Sequence, residues 1–210
     1  MANSQYYSKP GRYELQECVL TDFSGETVDM AYLISSFTVL ESINSMFNIY
    51  EFTIVDAVNI LERFTVSGNE KIELTLVKKD TPDGSEEQIT KYLILTKIEA
   101  YARPSNEGQA YKFKAITDTA FKTSIKRISR SDSDTPTEMI SRLWDEVSFK
   151  TDLVVGDDAV GNMKIVYPNH TYMDTFGLLL SRAANANGSP FYLYDTLWGD
   201  ANLITDEKLV

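Results

Sequence analysis

Regular alternation of apolar and polar residues most constrains what this chain can fold into. It is clearest in three runs, residues 37–40, 50–55 and 72–76. Tyr50, Phe52 and Ile54 occupy every second position of the middle run. Because successive side chains of a β-strand point to opposite faces, this set lies on one face, and that face has to be buried. The runs predict neighbouring strands of one sheet, with a helical turn or two at 56–63 between the last two runs.

Similar patterns extend the sheet over the first 118 residues. Residues 13–20, 88–102 and 111–115 also read as strands, which gives about six strands at the spacing of an antiparallel barrel or sandwich. The 88–102 strand is apolar on both faces at its centre, in Tyr92, Leu93, Ile94 and Leu95. A strand covered on one side alternates, so these four residues predict a second layer, either a helix or another subunit.

The character of the sequence changes at Thr119. Residues 122–130 carry four cations and no carboxylate, whereas residues 131–162 carry eight carboxylates and two cations. Such a switch marks either a domain boundary or two solvated faces of opposite charge. We take it as a boundary and predict two domains, residues 1–118 and residues 119–210.

Two capped helices are predicted in the second domain. Thr135, Pro136 and Glu138 form a helix start with a capping box, and the apolar stripe that follows consists of Met139, Ile140, Leu143, Trp144 and Val147. Thr171 with Asp174 resembles a second capped start, and Asn187-Gly188 is expected to stop that helix. Short strands surround both helices. The pattern is typical of an α+β domain with two helices on a small sheet.

Both halves resemble one known family. In the first half, Glu41-Ser42-Ile43, a polar loop, a strand ending in Asp56, and then Gly68 and Glu70 leading a further strand follow the order of the tube-like β-domain of phage baseplate hub proteins. Those proteins belong to contractile-tailed phages, and the spike proteins of type VI secretion share the fold. In the second half, residues 165–169, 189–195 and Gly199 are similar to the domain that follows in hub proteins.

This resemblance implies both a fold and a function. The expected fold is α+β and mainly β, with a tail-tube-like antiparallel β-barrel or sandwich followed by a smaller α+β domain. The implied function is that of a structural virion protein, a baseplate hub subunit assembled as a ring. Its implied partners are further copies of itself, as a homotrimer, together with the tail tube and the central spike. The implied location is the tail baseplate, after assembly in the host cytoplasm. Hub proteins usually continue into a second tube-like domain, and this sequence ends at Val210 without one.

Composition excludes several function classes. The chain has 43% hydrophobic and 24% charged residues and a formal net charge of -11, which argues against a dedicated nucleic-acid binder. There is no 18-residue apolar segment and no signal-peptide pattern, so we expect neither membrane insertion nor general secretion. The single cysteine, Cys18, lies in a predicted strand and is expected to be a buried core residue.

Residues that could carry chemistry do not converge in the sequence. His170 is the only histidine, and we expect it before a helix cap rather than as a base. Asp132 and Asp134 have the spacing of a calcium loop, but Thr137 and Leu143 stand where such a loop needs glycine and glutamate. We therefore predict no enzyme activity, no cofactor and no metal. A hydrolase that uses separated acids such as Glu99 and Asp118 is one alternative, and a β-barrel that binds a small ligand or glycan is the other.

The loop 42–48 is the remaining candidate for an interface. Met46 and Phe47 are large apolar residues in what should be a polar loop. They either anchor another subunit or fold over the end of their own barrel. With the apolar centre of the 88–102 strand, the predicted interface residues are Met46, Phe47, Tyr92, Leu93, Ile94 and Leu95.

Overall fold

The structure of the protein, a computed structural model, describes residues 12–56, 68–79, 86–100, 109–148 and 150–209. The helical turns predicted at 56–63 lie almost wholly outside the described residues. Seven strands come first: β1 Arg12–Thr21, β2 Thr27–Asp29, β3 Ile34–Leu40, β4 Ile49–Asp56, β5 Lys71–Lys79, β6 Glu87–Ala100 and β7 Gln109–Thr117. Then follow α1 Asp118–Ile125, β8 Arg127–Asp134, α2 Pro136–Val147, β9 Leu153–Val155, β10 Met163–Thr171, α3 Tyr172–Leu180, β11 Phe191–Tyr194 and β12 Ala201–Thr205.

The first seven strands form one sheet in the order β2-β1-β5-β6-β7-β4-β3. The pairs β1–β2, β1–β5 and β5–β6 are antiparallel. Three shorter strands form a second sheet in the order β11-β12-β9, and β10 pairs with β8 alone. The predicted fold class, α+β and mainly β with an antiparallel sheet first, is confirmed.

Contacts between residues divide the chain into two compact units. The first unit is residues 1–36 with 52–113, and the second is residues 37–51 with 114–210. The sequence predicted a single boundary after residue 118. It did not anticipate that residues 37–51, from the first half of the chain, make their contacts with the second unit.

The core of the first unit follows the predicted alternation. Ile72 is opposite Leu20 on β1 and Leu93 on β6, and all three side chains are buried. Cys18 is opposite Leu74 on the same face and is fully buried, which agrees with its expected role in the core. Burial, with the Asp29 carboxylate nearby, raises the pKa of the Cys18 thiol to about 12. The thiol therefore stays protonated and packs as a small apolar group.

Helix α2 supplies the core of the second unit. Its predicted stripe, Met139, Ile140, Leu143, Trp144 and Val147, is at most 1% exposed. Burying a large apolar side chain stabilises a fold by about 1.5–3 kcal/mol, so this stripe outweighs the intrinsic preference of a short helix. The Thr135 hydroxyl accepts a hydrogen bond from the Glu138 N–H, as predicted. Glu138 does not complete a capping box, because the Thr135 N–H donates to Asp134 instead.

The start of α3 is also as predicted, but its end is not. Thr171 accepts from the Asp174 N–H at 3.0 Å, and Phe176 and Leu179 are buried. The helix ends at Leu180 rather than at Asn187-Gly188. Gly188, with a φ of 83°, belongs to a separate turn in which its N–H donates to Asn185.

Two elements of the second unit have no counterpart in the prediction. They are α1 and the strand β8, whose sequence RISRSDSD is too polar to show an apolar alternation. The strand exists because β10 pairs with it along its length and because Arg142 of α2 binds Asp132 and Asp134. The same guanidinium occupies the two carboxylates that resembled a calcium loop. No helix among the described residues is long and apolar enough to cross a membrane.

Replacing glycine by alanine is expected to have opposite effects on stability at two positions of the second unit. A methyl group at Gly156 would lie 2.6 Å from Ile204 Cγ2, whereas one at Gly177 in α3 would lie 3.8 Å from Met46 Cε. We expect Gly156→Ala to lower the free energy of unfolding by about 1–3 kcal/mol through overpacking. Gly177→Ala is expected to raise it by about 0.5–1 kcal/mol, because alanine is the better helix former. Urea denaturation of both variants measures the pair, and equal effects would contradict the packing at Gly156.

Candidate assembly surface

Phe47, a predicted interface residue, lies in the core of its own unit. Its side chain is 7% exposed and stacks on Trp144, with ring centroids 6.0 Å apart and planes 15° apart. Trp144 in turn packs against Phe176 of α3. Met46 is half-buried, and its Cε lies over Gly177 of the same helix. Met46 and Phe47 therefore attach their loop to α2 and α3. The sequence had suggested contact either with another subunit or with the end of the β-barrel, and not with these helices.

The predicted interface residues of β6 are also mostly buried. Leu93, Ile94 and Leu95 are 1%, 4% and 0% exposed, and Tyr92 is half-buried. Both faces at the centre of β6 are thus covered within the single chain, without a neighbouring copy. Of the six predicted interface residues, Met46 and Tyr92 keep part of their surface. An assembly surface has to use other, exposed residues as well.

The loop between β3 and β4 is held from inside by hydrogen bonds. The Glu41 carboxylate accepts from the Leu197 N–H and, at 3.3 Å, from the Asn48 side-chain amide. The Asp195 N–H donates to the Met46 carbonyl at 3.1 Å. The Ser45 hydroxyl donates to the Phe47 carbonyl at 2.9 Å. Because both ends and the middle of the loop are bonded, its outward side chains have fixed positions.

Beneath the loop, Tyr50 begins the buried face of β4. It is fully buried and stacks on Phe37 of β3 at 6.4 Å between ring centroids. Burial, reinforced by the Asp195 carboxylate, raises the pKa of the Tyr50 phenol well above its usual value, so the phenol stays neutral. The Tyr50 hydroxyl and Asn48 Oδ1 are both buried and find no hydrogen-bond partner within the described residues. Asn48 and Tyr50 thus belong to the interior and not to a surface.

The outward residues of this region are aliphatic. Leu40, Ile43 and Ile49 are 51%, 44% and 41% exposed. Leu40 is the last residue of β3, Ile49 is the first residue of β4, and Ile43 lies in the loop between them. The sequence prediction named Met46 and Phe47 in this loop, whereas the exposed aliphatic side chains are those of Leu40, Ile43 and Ile49. The available signal was the exposed face of β3, where Leu40 follows Thr38 at the spacing of two.

Strand β3 is the terminal strand of the seven-stranded sheet. Its sequence, ISSFTVL, contains no charged residue and no proline. Edge strands in soluble proteins are usually protected by charges, prolines, bulges or short length, since their free N–H and C=O groups pair readily with another strand. Among the described residues, β3 is thus a long edge strand that no charge, proline or short length protects.

The other edge strands of the described residues carry such protections. β2 and β9 have three residues each, and β11 has four. β10 contains Pro168 and a break in register after it. β8 carries four charged residues, Arg127 and Arg130 followed by Asp132 and Asp134. The contrast identifies β3, its exposed face and the following loop as the candidate assembly surface.

Each of the two carboxylates considered for catalysis forms an ion pair with a lysine. Glu99 pairs with Lys97 at 2.7 Å, and Asp118 pairs with Lys122 at 2.5 Å. No group of three or more histidine, cysteine, aspartate or glutamate residues in the described part of the chain could hold a metal ion. His170 lies next to the cap of α3, as the sequence predicted.

Comparison with known proteins gives likeness in fold. No protein-family model matches the chain, and no curated protein sequence matches it. The 43 kDa tail protein of prophage MuSo2 from Shewanella oneidensis matches 90% of this chain and 54% of its own, with a TM-score of 0.52 and 13% identity. A tail protein from Neisseria meningitidis MC58 matches 91% of this chain and 50% of its own, with a TM-score of 0.50 and 10% identity. A chain of a Francisella PdpA-VgrG complex matches 97% of this chain and 33% of its own, with a TM-score of 0.49 and 15% identity.

The chain thus spans about half the length of the two tail proteins that it resembles. The likeness covers nine-tenths of this chain and includes both units. In fold, the chain is similar to phage tail proteins, as the resemblance in its sequence implied.

Proposed function

We propose that this chain is a structural subunit of a phage tail, a baseplate hub component of a contractile tail. In this proposal, identical copies assemble as a ring, with three copies as the expected number, and the ring links the tail tube to the central spike. The observation that carries the proposal is the unprotected edge strand β3 with the exposed aliphatic residues Leu40, Ile43 and Ile49 beside it. The likeness in fold to two tail proteins supports it.

Strand addition is the physical basis of such an assembly. The seven residues of β3 span about 23 Å at the rise of an extended strand, enough for a ladder of backbone hydrogen bonds with a neighbouring copy. Those bonds supply register, but little net affinity in water. Apolar contact by Leu40, Ile43 and Ile49 supplies the affinity, since each buried aliphatic side chain contributes about 1.5–3 kcal/mol.

Symmetry decides what β3 meets in the neighbouring copy. A contact between β3 and the same strand of a second copy is two-fold and closes at a dimer. A ring of three requires a heterologous contact, in which β3 of one copy meets a different surface of the next. The proposal therefore expects the heterologous arrangement. The ring would be part of the virion, located in the tail baseplate and assembled in the host cytoplasm.

Native mass spectrometry of the purified chain across the micromolar range tests this function. We expect a concentration-dependent species of three copies, seen as a ring with a central hole in negative-stain images. Images of the chain mixed with the tail-tube and spike proteins of the same phage test the link between them. A strict monomer, alone and in these mixtures, would contradict the proposal, and a dimer that goes no further would contradict the ring.

A further inference from the structure

Negative charge is distributed very unevenly along this chain. Residues 13–62 contain nine carboxylates and no lysine or arginine, whereas the other 160 residues contain 22 carboxylates and 20 cations. Nearly all of the net charge of -11 thus comes from one quarter of the sequence. In the structure, this quarter includes the strands β1 to β4.

Some of these carboxylates are neutralised locally. Glu14 forms an ion pair with Lys79, and Glu51 forms one with Lys114 at 3.1 Å. Four of the other carboxylates lie on the hairpin of β1 and β2, which with the 3₁₀ turn after it we call the edge hairpin, residues 17–33. Its carboxylates are Glu17, Asp22, Glu26 and Asp29, and none forms an ion pair with a described residue.

The neighbouring strand β5 does not cancel this charge. Opposite the edge hairpin, β5 places Glu73 against Val19 and Lys71 against Thr21. Because Glu73 and Lys71 have opposite charges, together they contribute no net charge. The edge hairpin therefore keeps a local charge of four carboxylates at the end of the sheet, where β2 is the terminal strand.

Two aromatic side chains project from the same hairpin. Phe23 is 80% exposed and Tyr32 is 69% exposed, the two largest exposed fractions among the exposed large apolar side chains of the described residues. The buried residues around them are Met30 and Leu33, which supply the contacts to the core. Because Phe23 and Tyr32 are mostly in water, they contribute little to the stability of the fold.

The turn that carries Phe23 is firmly built. Asp22 Oδ1 accepts from the Ser24 N–H at 2.8 Å and from the Glu26 N–H at 3.0 Å. Gly25 takes the left-handed conformation that the turn requires, with a φ of 87°. The Ser24 hydroxyl, with these backbone donors, lowers the pKa of Asp22 and keeps it ionised. An aromatic ring on a preorganised turn loses little conformational entropy on binding, as is typical of an interface anchor.

We infer that the edge hairpin is a docking surface for an arginine- or lysine-rich segment of a partner protein. Its carboxylates complement the charge of such a segment, and the exposed rings of Phe23 and Tyr32 accept guanidinium or ammonium groups on their faces. Nucleic acids and acidic peptides are repelled by the same charge. The inference does not depend on the ring, because it uses a different edge of the sheet from β3.

Fluorescence anisotropy with labelled peptides tests this surface. The probes are a peptide of alternating arginine and threonine and its lysine and glutamate counterparts. We expect binding of the arginine and lysine peptides, with arginine tighter because its planar group stacks on aromatic rings, and no binding of the glutamate peptide. Removing two carboxylates with Glu17→Gln and Glu26→Gln is expected to weaken binding about fivefold, from exposed ion pairs of roughly 0.5 kcal/mol each.

Matched variants separate this surface from general attraction to an acidic protein. Asp145→Asn with Asp158→Asn removes the same charge from exposed positions elsewhere and is expected to leave binding within about twofold. Phe23→Ser with Tyr32→Ser keeps the charge and is expected to weaken binding about fivefold through lost cation–π contacts. Val154→Ser with Val166→Ser, at exposed aliphatic positions of the second unit, is the control for that pair.

Several outcomes would overturn the inference. The first is that the hairpin variants and the control variants weaken peptide binding equally, and the second is that the basic peptides do not bind the chain at all. The third is that, in an NMR titration with the arginine peptide, the amide chemical-shift changes lie outside residues 17–33. Thermal melts confirm that each variant is folded. If the chain forms the ring but does not bind the basic peptides, only this inference is refuted. If the chain binds the basic peptides but does not form the ring, only the proposed function is refuted.

Discussion

Replacing Phe47 by alanine is expected to lower the free energy of unfolding by about 3–5 kcal/mol, the usual range for a buried phenylalanine. Phe47 is 7% exposed and stacks on Trp144, the largest fully buried side chain of the described residues. Removing the Phe47 ring leaves a cavity between the loop, α2 and α3. Helix α2 cannot move to fill this cavity, because its other core residues, Met139, Ile140, Leu143 and Val147, hold the helix in place. Urea denaturation followed by tryptophan fluorescence measures the change directly.

The same loop provides the control for this substitution. Ile43→Ala removes an aliphatic side chain that is 44% exposed, and we expect a change within about 0.5 kcal/mol. If Phe47→Ala were as mild as Ile43→Ala, the loop would not be fastened to the helices as described. If Ile43→Ala were as severe as Phe47→Ala, Ile43 would be a core residue and unavailable to a neighbouring copy.

The elements with strong local signals could be predicted from the sequence. Tyr50, Phe52 and Ile54 alternate on β4, and their burial follows from the two-residue period of a strand. The stripe on α2 and the caps at Thr135 and Thr171 follow from helix geometry in the same way. In each case a short-range rule and the tertiary structure require the same conformation, so the local pattern was sufficient.

Elements stabilised by distant partners could not be predicted in this way. β8 has no apolar alternation, and it is a strand because β10, which begins at Met163 after a helix and another strand, pairs with it. The sequence places two carboxylates near the Thr135 N–H, those of Asp134 and Glu138, and gives no means to rank them. The structure has the hydrogen bond to Asp134. The end of α3 was misplaced because Gly188 fits a C-cap equally well, although it serves a later turn.

The candidate surface shows the same division between local and distant information. Sequence identified residues 42–48 as a loop with too many apolar residues, and this was a local observation. Which of those residues point inward depends on Trp144 and Gly177, about 100 or more residues further along the chain. The edge position of β3 is likewise a property of the whole sheet order and of no single segment.

The two faces of the β3–β4 region therefore have separate roles. Phe47, Met46 and the hydrogen bonds of Glu41 fix the loop from inside, and they leave Leu40, Ile43 and Ile49 outside in defined positions. A preorganised surface loses less entropy on association than a mobile loop does. Variants on the inner face are expected to change stability, whereas variants on the outer face are expected to change assembly alone.

Thr38→Lys with Leu40→Lys is expected to abolish assembly while leaving the fold intact. Both side chains are exposed on the outward face of β3, and lysine on an edge strand is a common natural protection against strand pairing. Association would have to bury two ammonium groups and would lose the apolar contact of Leu40. Together these two effects weaken the association between two copies by about 3 kcal/mol, which raises the dissociation constant by about a hundredfold.

A control of equal charge isolates the role of the edge. Val160→Lys with Val166→Lys adds the same two charges at positions that are 55% and 67% exposed, outside the candidate surface. Analytical ultracentrifugation is expected to show assemblies for this control and a monomer for the β3 variant, with similar urea midpoints for both. If the β3 variant were unfolded, the neutral variant Leu40→Ser would serve in its place, with weakened assembly expected. Assembly that survives in the folded β3 variant, or that fails equally in the control, would mean that copies of this chain do not meet through β3.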